Sequence, residues 1–142
     1  METSLKEIQL LVFHLGDKID APYASTIIFD SSPQNGRSHL EIKGDEFHYI
    51  CEERGLIIYD NKTNNIDELL YWIFQNISFE MALDYEFKNR KKGQDSRKIL
   101  FSKQLEILQK ISEKWKLKRQ EEINGILKFN PFKWIFRKKR GT

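Results

Sequence analysis

The chain has 142 residues, 39% hydrophobic and 13% aromatic, enough for a single core and too apolar for disorder throughout. Its 32% charged residues and mean hydropathy of −0.61 exclude a chain made of membrane spans, and no apolar run is long enough to cross a bilayer. The formal charge of +3 is unevenly spread: residues 1–62 carry eleven Asp or Glu against six Lys or Arg, and residues 63–142 carry ten against eighteen.

The first predicted element is an amphipathic helix. Leu5, Ile8, Leu11, Val12 and Leu15 recur at helical spacing behind Ser4, with Glu7 placed to complete a capping box, and the helix should end near Gly16. Its acidic start and the absence of a small-residue cleavage signal make it a poor signal peptide. From Pro22 to Asn61 the period changes to two. STIIFD, SHLEIK, EFHYICEE and GLIIYDN, separated by SSPQNG, GD and RG, predict four antiparallel strands. A two-residue turn at Gly44 and Asp45 would set Leu40 opposite Tyr49, Ile42 opposite Phe47 and Glu41 opposite His48, giving one apolar and one polar face. Cys51 lies in this alternation. As the only cysteine it cannot close an intramolecular disulfide, so a packed thiol in a reducing compartment is expected.

The polar face would gather His39, Glu41, Lys43, Glu46, His48 and Glu52. A flat ladder rarely gives the convergent geometry a metal needs, so no metal site is assigned, and a solvated face or a partner surface is expected instead.

Three helices should follow. Residues 66–87 contain fourteen apolar residues among twenty-two, too many for one stripe, which predicts a helix covered on several sides. Glu80 and Asp84 sit one turn apart within it. After a break at Gly93, Asp95 is placed as the N-cap of the next helix, whose stripe of Phe101, Leu105 and Leu108 also carries Arg97 and Gln104. This predicts a buried polar network of Glu80, Asp84, Arg97 and Gln104 across the helix pair, with a structural role. The third helix precedes a stop at Asn130 and Pro131. Beyond it, KWIFRKKRGT contributes +5, so the chain without this tail would be near −2.

Several of these stretches resemble one family. ELLYWIF, FEMALDYEFKNR, GQDSRKILFSKQLEIL, Trp115 with EEINGIL, and NPF occur in the order found in the immunity protein 63 family of bacterial polymorphic toxin systems. GRSHLEIKGDEFHYICEERG adds Gly36, Arg37, His39, Glu41, Gly44, Tyr49, Glu53, Arg54 and Gly55. The resemblance implies a cytoplasmic protein that binds and neutralises a bacterial toxin, and it implies no chemistry of its own.

The expected fold is therefore α+β: an N-terminal helix, a four-stranded antiparallel meander, and three C-terminal helices packed on one face of the sheet. One domain should span residues 1–132, followed by a basic tail over 133–142. No nucleotide-binding loop, nucleophile elbow or metal-binding motif occurs, and neither catalytic residues nor a cofactor are assigned. Glu80 with Asp84 would be the best carboxylate pair for acid–base work, but a central helix would deny substrate access. A toxin inhibitor acting by steric occlusion is the expected function. Tyr85, Glu86, Arg90, Gln94, Asp95 and Arg97, at the junction of the first two of these helices, are the expected contact residues. The alternative is a nucleic-acid-associated module using Lys88, Arg90, Lys91, Lys92 and the tail, in which Trp134, Ile135 and Phe136 would contact bases or an anionic surface. Nucleic acid is the less favoured partner.

Overall fold

Helix α1 (Leu5–Asp17) begins at the capping box the sequence announces. The Glu7 backbone N–H donates to Ser4 Oγ at 3.2 Å, and the Ser4 N–H donates to Glu7 Oε1 at 2.9 Å, so two otherwise unpaired donors are satisfied. Ile8 and Val12 are fully buried. Gly16 is also required: a Cβ there would lie 2.9 Å from Thr26 Cγ2, in the turn that follows the helix. The computed structural model that shows these contacts describes residues 3–133.

The sheet has three strands rather than four. β1 (Asn35–Lys43), β2 (Glu46–Glu53) and β3 (Leu56–Thr63) form an antiparallel meander in the order β1-β2-β3. The stretch STIIFD, expected as the first strand, instead starts in a 3-10 turn, Tyr23–Thr26, and touches the sheet only through an isolated parallel bridge from Phe29 to His39. The cause lies in α1. Gln9 Nε2 donates to the Thr26 carbonyl at 2.8 Å and Gln9 Oε1 accepts the Ile28 N–H at 2.7 Å, so one side chain takes the backbone groups a ladder would use.

The β1–β2 register is the one the Gly44–Asp45 turn dictates: Leu40 opposite Tyr49, Glu41 opposite His48, Ile42 opposite Phe47. Leu40, Phe47, Tyr49 and Cys51 are buried on one face. Cys51 is a packed thiol; burial pushes it up from its ordinary pKa, the Glu53 carboxylate adds to this, and its Sγ lies 3.2 Å from the Gly36 carbonyl.

On the other face Glu41, Lys43, Glu46 and Glu52 are exposed or half-buried, but the two histidines depart from the solvated surface expected of them. His39 is 1% and His48 6% exposed. Each imidazole is held by a carboxylate two residues away on its own strand, His39 Nε2 at 2.8 Å from Glu41 Oε2 and His48 Nε2 at 2.9 Å from Glu46 Oε1. His39 holds the Glu41 carboxyl below its ordinary pKa, and Lys43 adds to the effect. His48 Nδ1 lies 3.3 Å from Asp60 Oδ1 without hydrogen-bonding geometry, and His39 Nδ1 is buried without a hydrogen-bond partner. Among the described residues no His, Cys, Asp and Glu side chains converge into a metal-binding group.

Three helices follow: α2 (Ile66–Lys88), α3 (Ser96–Gln109) and α4 (Glu113–Phe129). Asn65 Oδ1 accepts the Glu68 N–H at α2's start, and Ser112 Oγ accepts the Trp115 N–H at α4's start. The chain groups into two compact units divided between Ile73 and Phe74. In the second unit, Ala82, Leu100, Phe101 and Ile123 form a buried cluster with Phe79, Leu105 and Leu127 against it, and the Phe74 and Trp115 rings stack at 5.9 Å. Among the described residues no helix is long and apolar enough to cross a membrane.

Candidate functional site

The second half of α2 has a buried stripe, Phe74, Ser78, Ala82 and Glu86, each one turn after the last, with Ile77 buried beside it. Glu80 and Asp84 are two residues off this stripe, which at 100° per residue places them on the opposite side. Both are exposed, and Asp84 pairs with Lys88 at 3.0 Å across one turn. The expected burial of these carboxylates is therefore corrected, and with it the predicted network. The fourteen apolar residues overstated enclosure, because Leu83, Tyr85 and Phe87 are exposed at 45%, 40% and 73%.

A buried network does exist around Gln104, with other members. Gln104 Nε2 donates to Ser78 Oγ at 3.2 Å and to the Gln75 carbonyl at 3.1 Å, while its Oε1 accepts Arg119 Nε–H at 2.9 Å. Arg119 Nη1 donates onward to Glu122 Oε1 at 3.1 Å. Sequence reading missed Arg119, although Trp115, Arg119 and Ile123 share one face at four-residue spacing, and all three are buried.

Arg97 belongs to a different assembly at the start of α3. Asp95 caps the helix, accepting the Arg97 N–H at 3.0 Å, and also receives Arg97 Nε at 3.2 Å and Nη2 at 2.8 Å. The same guanidinium donates to the carbonyls of Asn130 and Pro131 at 2.8 and 2.9 Å, and the Lys133 N–H returns to Asp95 Oδ2 at 3.0 Å. Phe132 packs against Phe101, with Arg97 and Lys98 over its ring. The Arg97 guanidinium beside Asp95 holds its carboxyl well below the usual carboxylate range, and the backbone N–H donors of Arg97 and Lys133 act in the same direction.

Tyr85, Glu86, Arg90, Gln94, Asp95 and Arg97 all lie at the corner between α2 and α3, but they differ in access. Tyr85 is exposed, with Lys103 Nζ 4.3 Å from the ring centroid. Glu86 is 3% exposed and accepts both Arg90 Nε and Nη2, at 3.0 and 2.9 Å. The Arg90 guanidinium, itself well exposed, lowers the Glu86 carboxyl and lies 5.6 Å over the Phe87 ring. Asp95 is buried and Arg97 half-buried. Tyr85 and Gln94 line a cleft of about 400 Å³ with Asn89, Lys91, Lys98 and Lys103. Gln94 and Asp95 also border a second cleft of about 390 Å³ with Lys91, Lys92, Lys98 and Phe132. Lys91 and Lys92 belong to the basic cluster read from sequence, whereas Lys98 and Lys103 went unnoticed because they come from α3 and share no period with it. Trp134, Ile135 and Phe136 lie outside the described residues.

The family model for immunity protein 63 matches residues 44–125, more than half of the chain. The chain belongs to that family. No curated protein and no solved structure matches it. Membership in the immunity protein 63 family implies neutralisation of a cognate toxin, and the family is typically non-enzymatic. The matched segment runs from the β1–β2 turn to α4, so it contains the whole α2–α3 corner.

Proposed function

We propose that this immunity protein neutralises its toxin by steric occlusion and that the α2–α3 corner is a contact surface. The observation that carries this reading is the corner itself, where exposed Tyr85 lines one of two lysine-bearing clefts and the Arg90 guanidinium lies over the exposed Phe87 ring. Aromatic and arginine side chains are the usual anchors of protein interfaces, and clustered charge of one sign accelerates encounter with a surface of the other. An acidic segment of the toxin fits this corner. Glu86, Asp95 and Arg97 position the anchors rather than meet the toxin, since their polar atoms are engaged within the fold. No turnover is needed: binding over the toxin's active site or substrate groove excludes substrate by occupancy.

Co-expression with the C-terminal domain encoded immediately upstream should restore growth and yield a co-purifying complex. Tyr85→Ala combined with Lys91→Glu and Lys98→Glu should weaken that complex by about thirtyfold or more, roughly 2 kcal/mol, with an unchanged melting temperature. Unaltered affinity in the triple variant would remove the corner from the interface. Substrate turnover by the isolated protein would end the occlusion reading.

The same lysines support a second reading, phosphate contact by a nucleic-acid-associated module. That reading requires a steep fall of affinity with salt and its loss on truncation after Phe132, whereas toxin protection should survive the truncation.

A further inference from the structure

The two edges of the sheet differ. β1 is screened by residues 27–29, where the Leu40 N–H donates to the Phe29 carbonyl at 2.8 Å. β3 is the opposite edge, and no strand of the described residues pairs with its outer side. Seven of its eight residues escape burial. Leu56, Ile57 and Ile58 are 69%, 63% and 60% exposed, three consecutive aliphatics at the start of an open edge. The β2–β3 register slips between Cys51 and Glu52, leaving Ile58 as the extra residue on β3. Natural edge strands are normally short, charged or covered, because their free N–H and C=O groups template pairing with another chain. Here Asp60 and Lys62 occupy the far half of the strand and the near half is wholly apolar.

A second copy of this chain fits that edge poorly. Antiparallel self-pairing about Tyr59 would set Ile58 against Asp60 and Leu56 against Lys62. Pairing about Ile57 would run into Arg54 and Gly55, turn residues with φ of +53° and +80°. Pairing about Asn61 would match Asp60 with Lys62 but stop before Leu56, Ile57 and Ile58 were covered. Pairing about Ile58 covers the aliphatics but sets Leu56 against Asp60 and leaves residues 61–63 of the strand unpaired, and pairing about Asp60 sets that carboxylate against its own copy. No two-fold register spans the strand and also pairs its aliphatics with one another.

We infer that the outer edge of β3 takes up an extended segment of the toxin as an added strand. That segment carries aliphatic side chains against residues 56–58, a cation opposite Asp60 and a carboxylate opposite Lys62. Main-chain hydrogen bonds would supply affinity and these pairs the register. The inference rests on the toxin-binding reading and adds a second contact to it. It does not depend on the α2–α3 corner.

Hydrogen exchange on the full chain, alone and with the catalytically inactivated upstream toxin domain, tests it. Binding should slow exchange of the amides of residues 56–63, and Leu56→Lys or Ile58→Lys should weaken the complex roughly tenfold or more with unchanged thermal unfolding. Leu10→Lys, at an exposed leucine of α1, should leave affinity as it was. A complex in which β3 stays unprotected, or in which both β3 variants bind as tightly as the parent, would overturn the inference and leave toxin binding standing. Absence of any complex would overturn both. Protection of β3 that appears without toxin, together with a concentration-dependent dimer in sedimentation, would assign the edge to a second copy and so refute the stated occupant. Should a variant fail to fold, the exchange comparison on the parent chain decides.

Discussion

The two compact units bury polar side chains in opposite ways. In the sheet, each buried imidazole takes its carboxylate from two residues away on the same strand, His39 with Glu41 and His48 with Glu46. Among the helices, Gln104 takes its partners from 26 and 29 residues back on α2 and 15 residues on along α4. A pair of the first kind forms whenever a strand is extended. The second forms only when three helices stand in one register, so it distinguishes the native arrangement from other apolar packings of the same helices. Charge divides similarly: residues 1–73 carry thirteen carboxylates against six Lys or Arg, and residues 74–142 carry eight against eighteen. One molecule thus carries an acidic unit with an open strand edge and a basic unit with a cleft-bearing corner.

The largest test of this contrast is Gln104→Ala. It strips the buried Arg119 Nε of its acceptor and Ser78 Oγ of the donor it accepts from, and it should cost about 3 kcal/mol by urea denaturation. A loss under about 1 kcal/mol would mean that the helical network specifies nothing.

Asp95 offers a sharper comparison, because it pairs locally with Arg97 as the strand histidines do with their carboxylates, yet also binds Lys133. Asp95→Ala should cost about 1–2 kcal/mol, a cap together with part of the clamp on residues 130–133. Because its carboxyl is held down in the folded protein, the stability it contributes is complete above about pH 4 and is lost as pH falls towards the folded value. Asp95→Asn should therefore flatten the acid side of a stability–pH profile measured by thermal unfolding. An unchanged acid limb would contradict the clamp. The smallest effect is expected of Asp84→Asn, an exposed one-turn pair with Lys88, at under about 0.5 kcal/mol by the same denaturation assay. A larger loss would restore a buried role to this carboxylate.

What the sequence made legible follows the range of the forces involved. Caps, turns and strand register depend on neighbours a few residues apart, so Ser4 with Glu7, Asp95 and the Gly44–Asp45 turn could be read directly. Residues 25–30 have the alternation of a strand and still are not one, because Gln9, seventeen to nineteen residues earlier, takes their backbone groups. Apolar content likewise signals burial only on average. It marked α2 as enclosed along its length, whereas the four-residue spacing from Phe74 to Glu86 shows one hidden side and leaves Glu80 and Asp84 outside it. At the candidate corner the residues named from sequence do gather, but which of them reach solvent depends on hydrogen bonds to residues 130–133 that no local pattern announces.

The Gln9 amide has a wider significance for this architecture. By presenting one donor and one acceptor to residues 26 and 28, it imitates the neighbour a longer ladder would have supplied, and the margin of the meander is thereby decided from within a helix. A side chain that belongs to no strand at all thus stands where a fourth strand's neighbour would have been.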